Sequence, residues 1–352
     1  PYPLSFYYGY DEVKVVDWQN WFALLSLLVL LSLLVFILWK YQSKSVLVFG
    51  SLFFVVAISM YLNIFSPPPG IIGERFAYVA SIGFCLCLAY GILKILKIDL
   101  RKKEAEQPLK NVKFMAVIGG ILLLYSGMTI ARNFDWKDHL TLFSKDVKAA
   151  SNSAQVNNLA AAAFWHAANQ VENGTERNEL IGKSLEYYER AVTIYPKFKN
   201  AWYDYGNVLE VAGKLEEALK AFKKTAELDS TYAYAYKKAG VILFHYERFD
   251  EAVPYFENAI KYAPTDEGPY ANLSQLYFSK GEYEKSIAIN ERAIAANPKT
   301  YNPYVNIIKT CLRINQTQRA IIWLEKALQA HPGDASFGSK LQELRASSSG
   351  GQ

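Results

Sequence analysis

Residues 66–84, SPPPGIIGERFAYVASIGF, gather the side chains in this chain best suited to meeting a phosphate. Pro67, Pro68 and Pro69 with Gly70 and Gly73 make a stiff loop, because proline locks its own φ. Glu74 and Arg75 follow at the mouth of an apolar run. A planar guanidinium held at an interface is a natural ligand for phosphate oxygens, which it can meet with two parallel hydrogen bonds. The same pair also suits the start of a helix, where a glutamate faces the positive end of the helix dipole. The residue pattern leaves both readings open. Elsewhere the chemistry is sparse. Four histidines, His139, His166, His245 and His331, show no metal-ligand spacing, so no metal site is expected. Cys85, Cys87 and Cys311 cannot make a disulfide framework. Nothing resembles a nucleic-acid-binding motif, and no nucleic-acid partner is expected.

Four uncharged apolar runs must position that loop: Trp21–Trp39, Val46–Phe65, Phe76–Leu93 and Phe114–Ile130. Each approaches the ~20 residues a helix needs to cross hydrocarbon. Trp18, Trp21, Trp39 and Tyr41 bracket the first run as interfacial aromatics should. The expectation is a membrane region over residues 21–131 with four transmembrane helices, part of a larger polytopic bundle. A cluster of Lys and Arg in one of its loops accounts for much of the net charge of +5. Lys40 and Lys44 follow the first run, and Lys94, Lys97, Arg101, Lys102, Lys103, Lys110 and Lys113 follow the third. By the positive-inside rule those loops are cytoplasmic. Parity then puts residues 1–20, the Glu74–Arg75 loop and everything after residue 131 on the extracytoplasmic or lumenal side of a bacterial inner membrane or an ER membrane. The chain opens Pro-Tyr-Pro and reads as the C-terminal portion of something longer.

The second half repeats every 34 residues. Ser184, Ala218, Ala252, Ser286 and Ala320 keep that spacing, as do Pro196, Ser230, Pro264, Pro298 and Pro332. A period of 34 with small, aromatic and proline positions in phase marks a tetratricopeptide repeat, a pair of helices that stacks into an α-solenoid. The fold class is therefore all-α. About five repeats are expected over residues 155–334, the first interrupted in its turn by Glu172–Ile181. A connecting helix over 132–154, with Trp136–Lys148 as its amphipathic body, precedes them. A solvating cap helix over Asp334–Arg345 and a disordered tail complete residues 335–352. Gly206, Gly240 and Ser274 should allow close approach of the two helices of a repeat, whereas Ile308 should pack differently. Gly213, Gly281 and Asn315 suit left-handed turns, and Glu247 breaks that pattern. Tyr188, Phe222, Phe256 and Leu324 should fill the core, with Asn290 an exception. Pro254 should delay or kink its helix. First-helix positions out of phase with the core, Asn200, Tyr203, Asn207, Tyr234, Lys237, Phe244 and Gln275, should line a concave groove. Its aromatic and amide lining suits an extended peptide or a sugar-bearing polypeptide, and equally an ordinary solvated surface.

Several segments together are more specific than the repeats. YPLSFYYGYDEV, GERFAYVASIGFCL and WKDHLTLF occur in this order ahead of the repeats. In that combination the chain resembles the C-terminal half of the transmembrane and tetratricopeptide repeat-containing (TMTC) proteins and their bacterial relatives. The resemblance implies a membrane glycosyltransferase of the GT-C architecture that moves a sugar, mannose in the animal members, from a polyprenyl- or dolichyl-phosphate donor to Ser or Thr of a protein acceptor. It implies donor-phosphate contacts at Arg75 and, less directly, Glu74. The catalytic acids of such enzymes lie in a first extracytoplasmic loop that this chain lacks, so no catalytic residue is assigned here, and Asp11, Glu12 and Asp17 are not promoted to that role. The partners expected are the lipid bilayer and a polypeptide bound by the repeats; no resident cofactor is indicated. A different class fits the same segments, a membrane-tethered scaffold that assembles envelope proteins without catalysis.

Overall fold

The structure, a computed structural model, describes residues 21–43, 45–59, 77–96, 112–172 and 174–349. Among these residues it is all-helical, with sixteen α-helices. The chain forms two compact units, Pro1–Pro196 and Lys197–Gln352.

In the first unit, α1 (Trp21–Lys40), α2 (Val46–Ser59), α3 (Ala77–Ile95) and α4 (Val112–Asn133) each fall on one of the four apolar runs. Helices α2 and α3 approach closely where small residues meet. A Cβ on Gly50 would stand 2.7 Å from Cys87 Sγ, and Ser51 Oγ lies 3.8 Å from the same sulfur. Small side chains that let backbones come together are what membrane helices use in place of a hydrophobic driving force. Among the described residues, one stretch, Val112–Lys137, is long and apolar enough to cross a membrane by length and composition; Leu27–Ser43, Val46–Ala57 and Ser81–Ile95 are shorter apolar helices. Glu74 and Arg75 lie outside the described residues, as do residues 1–20 and 97–111.

The expected single connecting helix is broken. A 3-10 turn, Phe134–Lys137, is followed by Asp138 in extended conformation (φ −154°, ψ 164°) and then by α5 (His139–Ala149). Asp138 makes the break, because its carboxylate accepts from Thr141 N at 2.7 Å and from Thr141 Oγ1 at 3.0 Å, capping α5. Arg132 then ties α4 to α5. Its guanidinium donates to Asp135 Oδ2 (3.0 Å) and to Asp146 Oδ1 (2.6 Å), while Lys145 also pairs with Asp135. Next come α6 (Ala154–Ala168) and α7 (Thr175–Ile194), joined where Ser184 Oγ donates to Ala161 O at 2.9 Å. The inserted residues do not merely lengthen the turn. From Thr175 onward they are helical and make α7 a 20-residue helix, against 14 residues in α9.

The second unit is a run of helix pairs: α8 (Lys199–Val211) with α9 (Leu215–Leu228), α10 (Ala233–His245) with α11 (Phe249–Tyr262), α12 (Glu267–Ser279) with α13 (Tyr283–Ala296), and α14 (Asn302–Arg313) with α15 (Thr317–Ala330). Each first helix ends the same way. Gly213, Glu247, Gly281 and Asn315 have φ of 77°, 55°, 74° and 57°. The next amide reaches back five residues, as Lys214 N does to Leu209 O (2.9 Å) and Arg248 N to Leu243 O (2.9 Å), the Schellman closure that satisfies otherwise orphaned carbonyls. Glu247 thus adopts the left-handed geometry despite its side chain.

Inside the first two pairs a glycine faces a phenylalanine ring. A Cβ on Gly206 would stand 2.7 Å from the Phe222 ring, and one on Gly240 would stand 2.8 Å from the Phe256 ring. Both rings are fully buried. In the fourth pair Ile308 and Leu324 share the space instead. Pro254 lies inside α11, which starts at Phe249 without delay. The closing helix α16 (Ala335–Ser349) runs beyond the expected Arg345, covering part of the expected tail, and buries Phe337, Leu341 and Leu344 against α14 and α15. Residues 350–352 lie outside the described residues.

Candidate functional site

The first-helix face of the second unit is where the groove residues fall. Asn200 is exposed at the start of α8. One turn on, Tyr203 is half-buried, with its ring 5.7 Å from Phe222 and 5.1 Å, edge-on, from Tyr232. Tyr232 in turn lies 6.3 Å from Tyr234, which is 56% exposed. Two ammonium groups cover this row: Lys199 Nζ lies 5.0 Å from the Tyr232 ring and Lys237 Nζ 5.1 Å from the Tyr234 ring. Such cation–π contacts help to hold the rings in place. The structure therefore brings Tyr203, Tyr234 and Lys237 into one row of rings and cations.

Neither lysine is a spare charge. Lys199 donates to Asp229 Oδ2 at 2.9 Å and Lys237 to Asp266 Oδ2 at 2.6 Å. These aspartates sit just ahead of α10 and α12 and organise the entry to the helix: Asp229 Oδ1 accepts from the Thr231 amide and hydroxyl, and Asp266 Oδ1 accepts from Gly268 N. The Thr231 hydroxyl and Lys199 hold the Asp229 carboxyl down at about 2. A further pair, Lys238 to Glu210 at 2.7 Å, bridges α8 and α10 directly.

The other groove residues separate. Phe244 turns to the end of its own pair and packs 5.4 Å from Phe249, so it belongs to the α10–α11 turn. Asn207 is half-buried on α8. Gln275 is exposed on α12 and lines a different feature, a cleft of about 200 Å³ that it shares with Asn306 and Lys309 of α14.

Residue patterns alone had not singled out several of these participants. Asp204, half-buried one residue after Tyr203, has its carboxyl pushed up by burial. Asn306 and Lys309 had a usable signal, since Lys309 stands 34 residues after Gln275 and Asn306 stands 34 after Asn272. Asp204 and Glu210 had none, because an acid on a solvated helix face looks the same whether or not a neighbouring repeat covers it.

Comparison with known proteins bears on the repeats. The tetratricopeptide repeat family models match residues 187–220 and 243–305. The human protein O-mannosyl-transferase TMTC3 is 25% identical over 166 residues, covering 47% of this chain and 16% of that protein. The Xenopus laevis protein O-mannosyl-transferase tmtc2 is 31% identical over 101 residues, covering 27% of this chain and 11% of the relative. The matched segments thus span a small part of the length of these relatives. Among solved structures, YrrB, described as a TPR protein with an unusual peptide-binding site, aligns with a TM-score of 0.42 at 19% identity, covering 57% of this chain and 97% of its own. The C-terminal part of a TPR repeat-containing protein from Cytophaga hutchinsonii aligns with a TM-score of 0.47 at 19% identity, covering 58% and 78%. Residues 187–220 and 243–305 are therefore tetratricopeptide repeats, and the region they lie in is similar to part of the TMTC protein O-mannosyl-transferases.

Proposed function

We propose that this chain is the C-terminal part of a membrane protein O-glycosyltransferase whose repeats hold the acceptor polypeptide on the extracytoplasmic side. The observation that carries the reading is the similarity of the repeat region to named protein O-mannosyl-transferases, joined to an apolar helix long enough to span a bilayer immediately ahead of the repeats. The four apolar runs act in this reading as spans of a GT-C bundle, with the two basic loops in the cytoplasm. The donor is a polyprenyl- or dolichyl-phosphate sugar, mannose-like in chemistry. Transfer requires a carboxylate to take the acceptor hydroxyl proton while cations stabilise the departing lipid phosphate. The carboxylate is expected in an extracytoplasmic loop of the full protein. The second role falls to Arg75, with Glu74 as the second candidate contact to the donor. The row of Tyr203, Tyr232 and Tyr234 offers ring faces, and Asn200 and Asn207 offer amides, to an extended acceptor.

The test is sugar transfer by the full-length protein in membranes, from a polyprenyl-phosphate mannose donor to a Ser/Thr-containing acceptor. Arg75→Ala should abolish transfer, a loss of at least about a hundredfold if a cation on the leaving phosphate is removed, while membrane insertion stays intact. Transfer at the wild-type rate would remove Arg75 from the mechanism, and no transfer by the wild-type protein with any polyprenyl-phosphate sugar would overturn the transferase reading.

A further inference from the structure

The third helix pair of the second unit departs from its neighbours at both members of the core couple. Where Gly206 faces Phe222 and Gly240 faces Phe256, the third pair has Ser274 and Asn290, each 34 residues after its counterpart. The two changes belong together physically. A phenylalanine at 290 needs the bare glycine opposite, since even a Cβ there would meet the ring at under 3 Å in the two preceding pairs. With serine opposite, a smaller polar side chain is what the site admits. In the fourth pair Ile308 and Leu324 keep that place apolar. Beside the third couple lies a cleft of about 200 Å³, lined by the Phe278 ring together with Ser274, Gln275, Ser286, Asn306, Lys309 and Thr310.

The hydrogen bonding at its floor can be counted. Asn290, 1% exposed, donates from Nδ2 to Ser274 Oγ at 2.5 Å and to Ser286 O at 2.9 Å. The Ser274 and Ser286 hydroxyls, 3% and 1% exposed, stand 2.9 Å apart, so one donates to the other. Two hydroxyl hydrogens are available and that bond uses one. The other has no acceptor in this network among the described residues. Asn306 Nδ2 reaches Asn290 Oδ1 only at 3.5 Å, the long limit of a hydrogen bond. At the rim, the Gln275 amide and the Lys309 ammonium are engaged by no neighbour among the described residues. The cleft thus has donors to spare, and its one ionised lining side chain is a cation. Lys237 and Lys238, on the equivalent face of α10, are each neutralised by a carboxylate. Lys309 is not.

We propose that this notch receives a carboxylate side chain, Asp or Glu, from an extended polypeptide lying along the first-helix face. The carboxylate accepts from Lys309 Nζ and the Asn306 amide, and the spare serine hydroxyl completes its shell. The repeats then select for acidic residues in the bound polypeptide and not only for an extended backbone. This rests on the reading of the repeats as a polypeptide-holding arm, and it does not depend on the transferase activity.

The test is binding to the detergent-solubilised full chain, read by fluorescence anisotropy at about 50 mM salt. The probes are labelled, amidated Ser/Gly peptides of about ten residues carrying one central Glu or one central Gln. The Glu peptide should bind about tenfold more tightly, the scale of one charge-assisted contact. Lys309→Gln should bring the ratio close to one without touching the core. The double variant Ser274→Gly with Asn290→Phe restores the couple of the two preceding pairs and fills the notch; it should also abolish the preference while circular dichroism stays helical. Should the double variant fail to fold, Lys309→Gln alone decides. Equal binding of both peptides, or a Glu preference that survives Lys309→Gln, would overturn the notch assignment while leaving the groove reading standing. Failure of either peptide to bind at millimolar concentration would overturn both. A Gln peptide with a free C-terminal carboxylate that binds as well as the Glu peptide would reassign the notch to chain ends.

Discussion

Glu247 is the residue at which local preference and fold disagree most plainly. It occupies the turn position filled by Gly213, Gly281 and Asn315, with φ of 55°, where a Cβ is costly and glycine is not. The Schellman closure from Arg248 N to Leu243 O forms nonetheless, so the tertiary pairing of α10 with α11 overrides the residue. Glu247→Gly should therefore stabilise the protein by about 0.5–1 kcal/mol, the left-handed strain less the extra freedom glycine gains when unfolded. A denaturant midpoint that falls instead would mean the Glu247 side chain makes a contact worth more than its strain. Three of the four turn residues could be recognised from sequence because glycine and asparagine tolerate this geometry. Glu247 could not, because nothing local in a glutamate signals a left-handed turn. Among groove residues, Tyr234 and Lys237 share a face of α10 by helical periodicity, and Tyr203 joins them because it stands one 34-residue repeat before Lys237. Phe244 obeys the same periodicity, yet it packs on Phe249 of the next helix, a contact that depends on the turn between them.

At the level of elements, the joint between α4 and α5 is the most specific construction in the first unit. Arg132 closes α4, Asp138 starts α5, and Asp146, buried two turns into α5, receives the same guanidinium that Asp135 holds from the other side. A carboxylate buried this deeply is tolerated because its partner is fixed within hydrogen-bond reach. Asp146→Ala should cost about 2–3 kcal/mol, less than a fully stranded charge would, since Asp135 still neutralises Arg132. The expected readout is a lower melting temperature and faster proteolysis around residues 134–139 in the detergent-solubilised protein. An unchanged melting temperature would show the network to be decorative. The amphipathic character of Trp136–Lys148 was plain from its periodicity. Its interruption at Asp138 was a capping signal, an aspartate three residues before Thr141, that an uninterrupted-helix reading passes over. Likewise the extra residues before Ser184 look like a long turn in the repeat register, but Thr175 onward has no helix breaker apart from Gly182 and simply extends α7.

For the molecule as a whole, the second unit carries its acid sensitivity in carboxylates paired across the turns and between successive repeats. Asp229 is held at about 2 by the Thr231 hydroxyl and Lys199. Asp250 is lowered by Lys280, Glu251 by Arg248, Glu282 by Lys285 and Glu284 by Arg319. A carboxyl whose folded pKa is depressed stabilises the fold above its unfolded pKa and loses that contribution as pH falls through the folded value. Stability should hold from neutral pH down to about pH 5 and decline below about pH 4, and Asp229→Asn should flatten the part of the decline between about pH 4 and pH 2. Asp204, pushed up by burial, works in the opposite sense and favours the fold more as it protonates. A denaturant midpoint independent of pH between 5 and 2 would contradict the pairing. By itself, the sequence determined the all-α class, the apolar runs, the 34-residue period and the core positions, because these follow from periodicities of hydrophobicity and size that each segment carries alone. Only the tertiary structure decided which charges are neutralised and where the core is left open. Lys237 is quenched by an aspartate 29 residues away while Lys309 is not, and Ser274 and Ser286 of the third pair line a cleft because Asn306, Lys309 and Thr310 of the next helix meet them there. Both outcomes depend on residues from different helices meeting at a few ångströms, a distance that no single segment encodes.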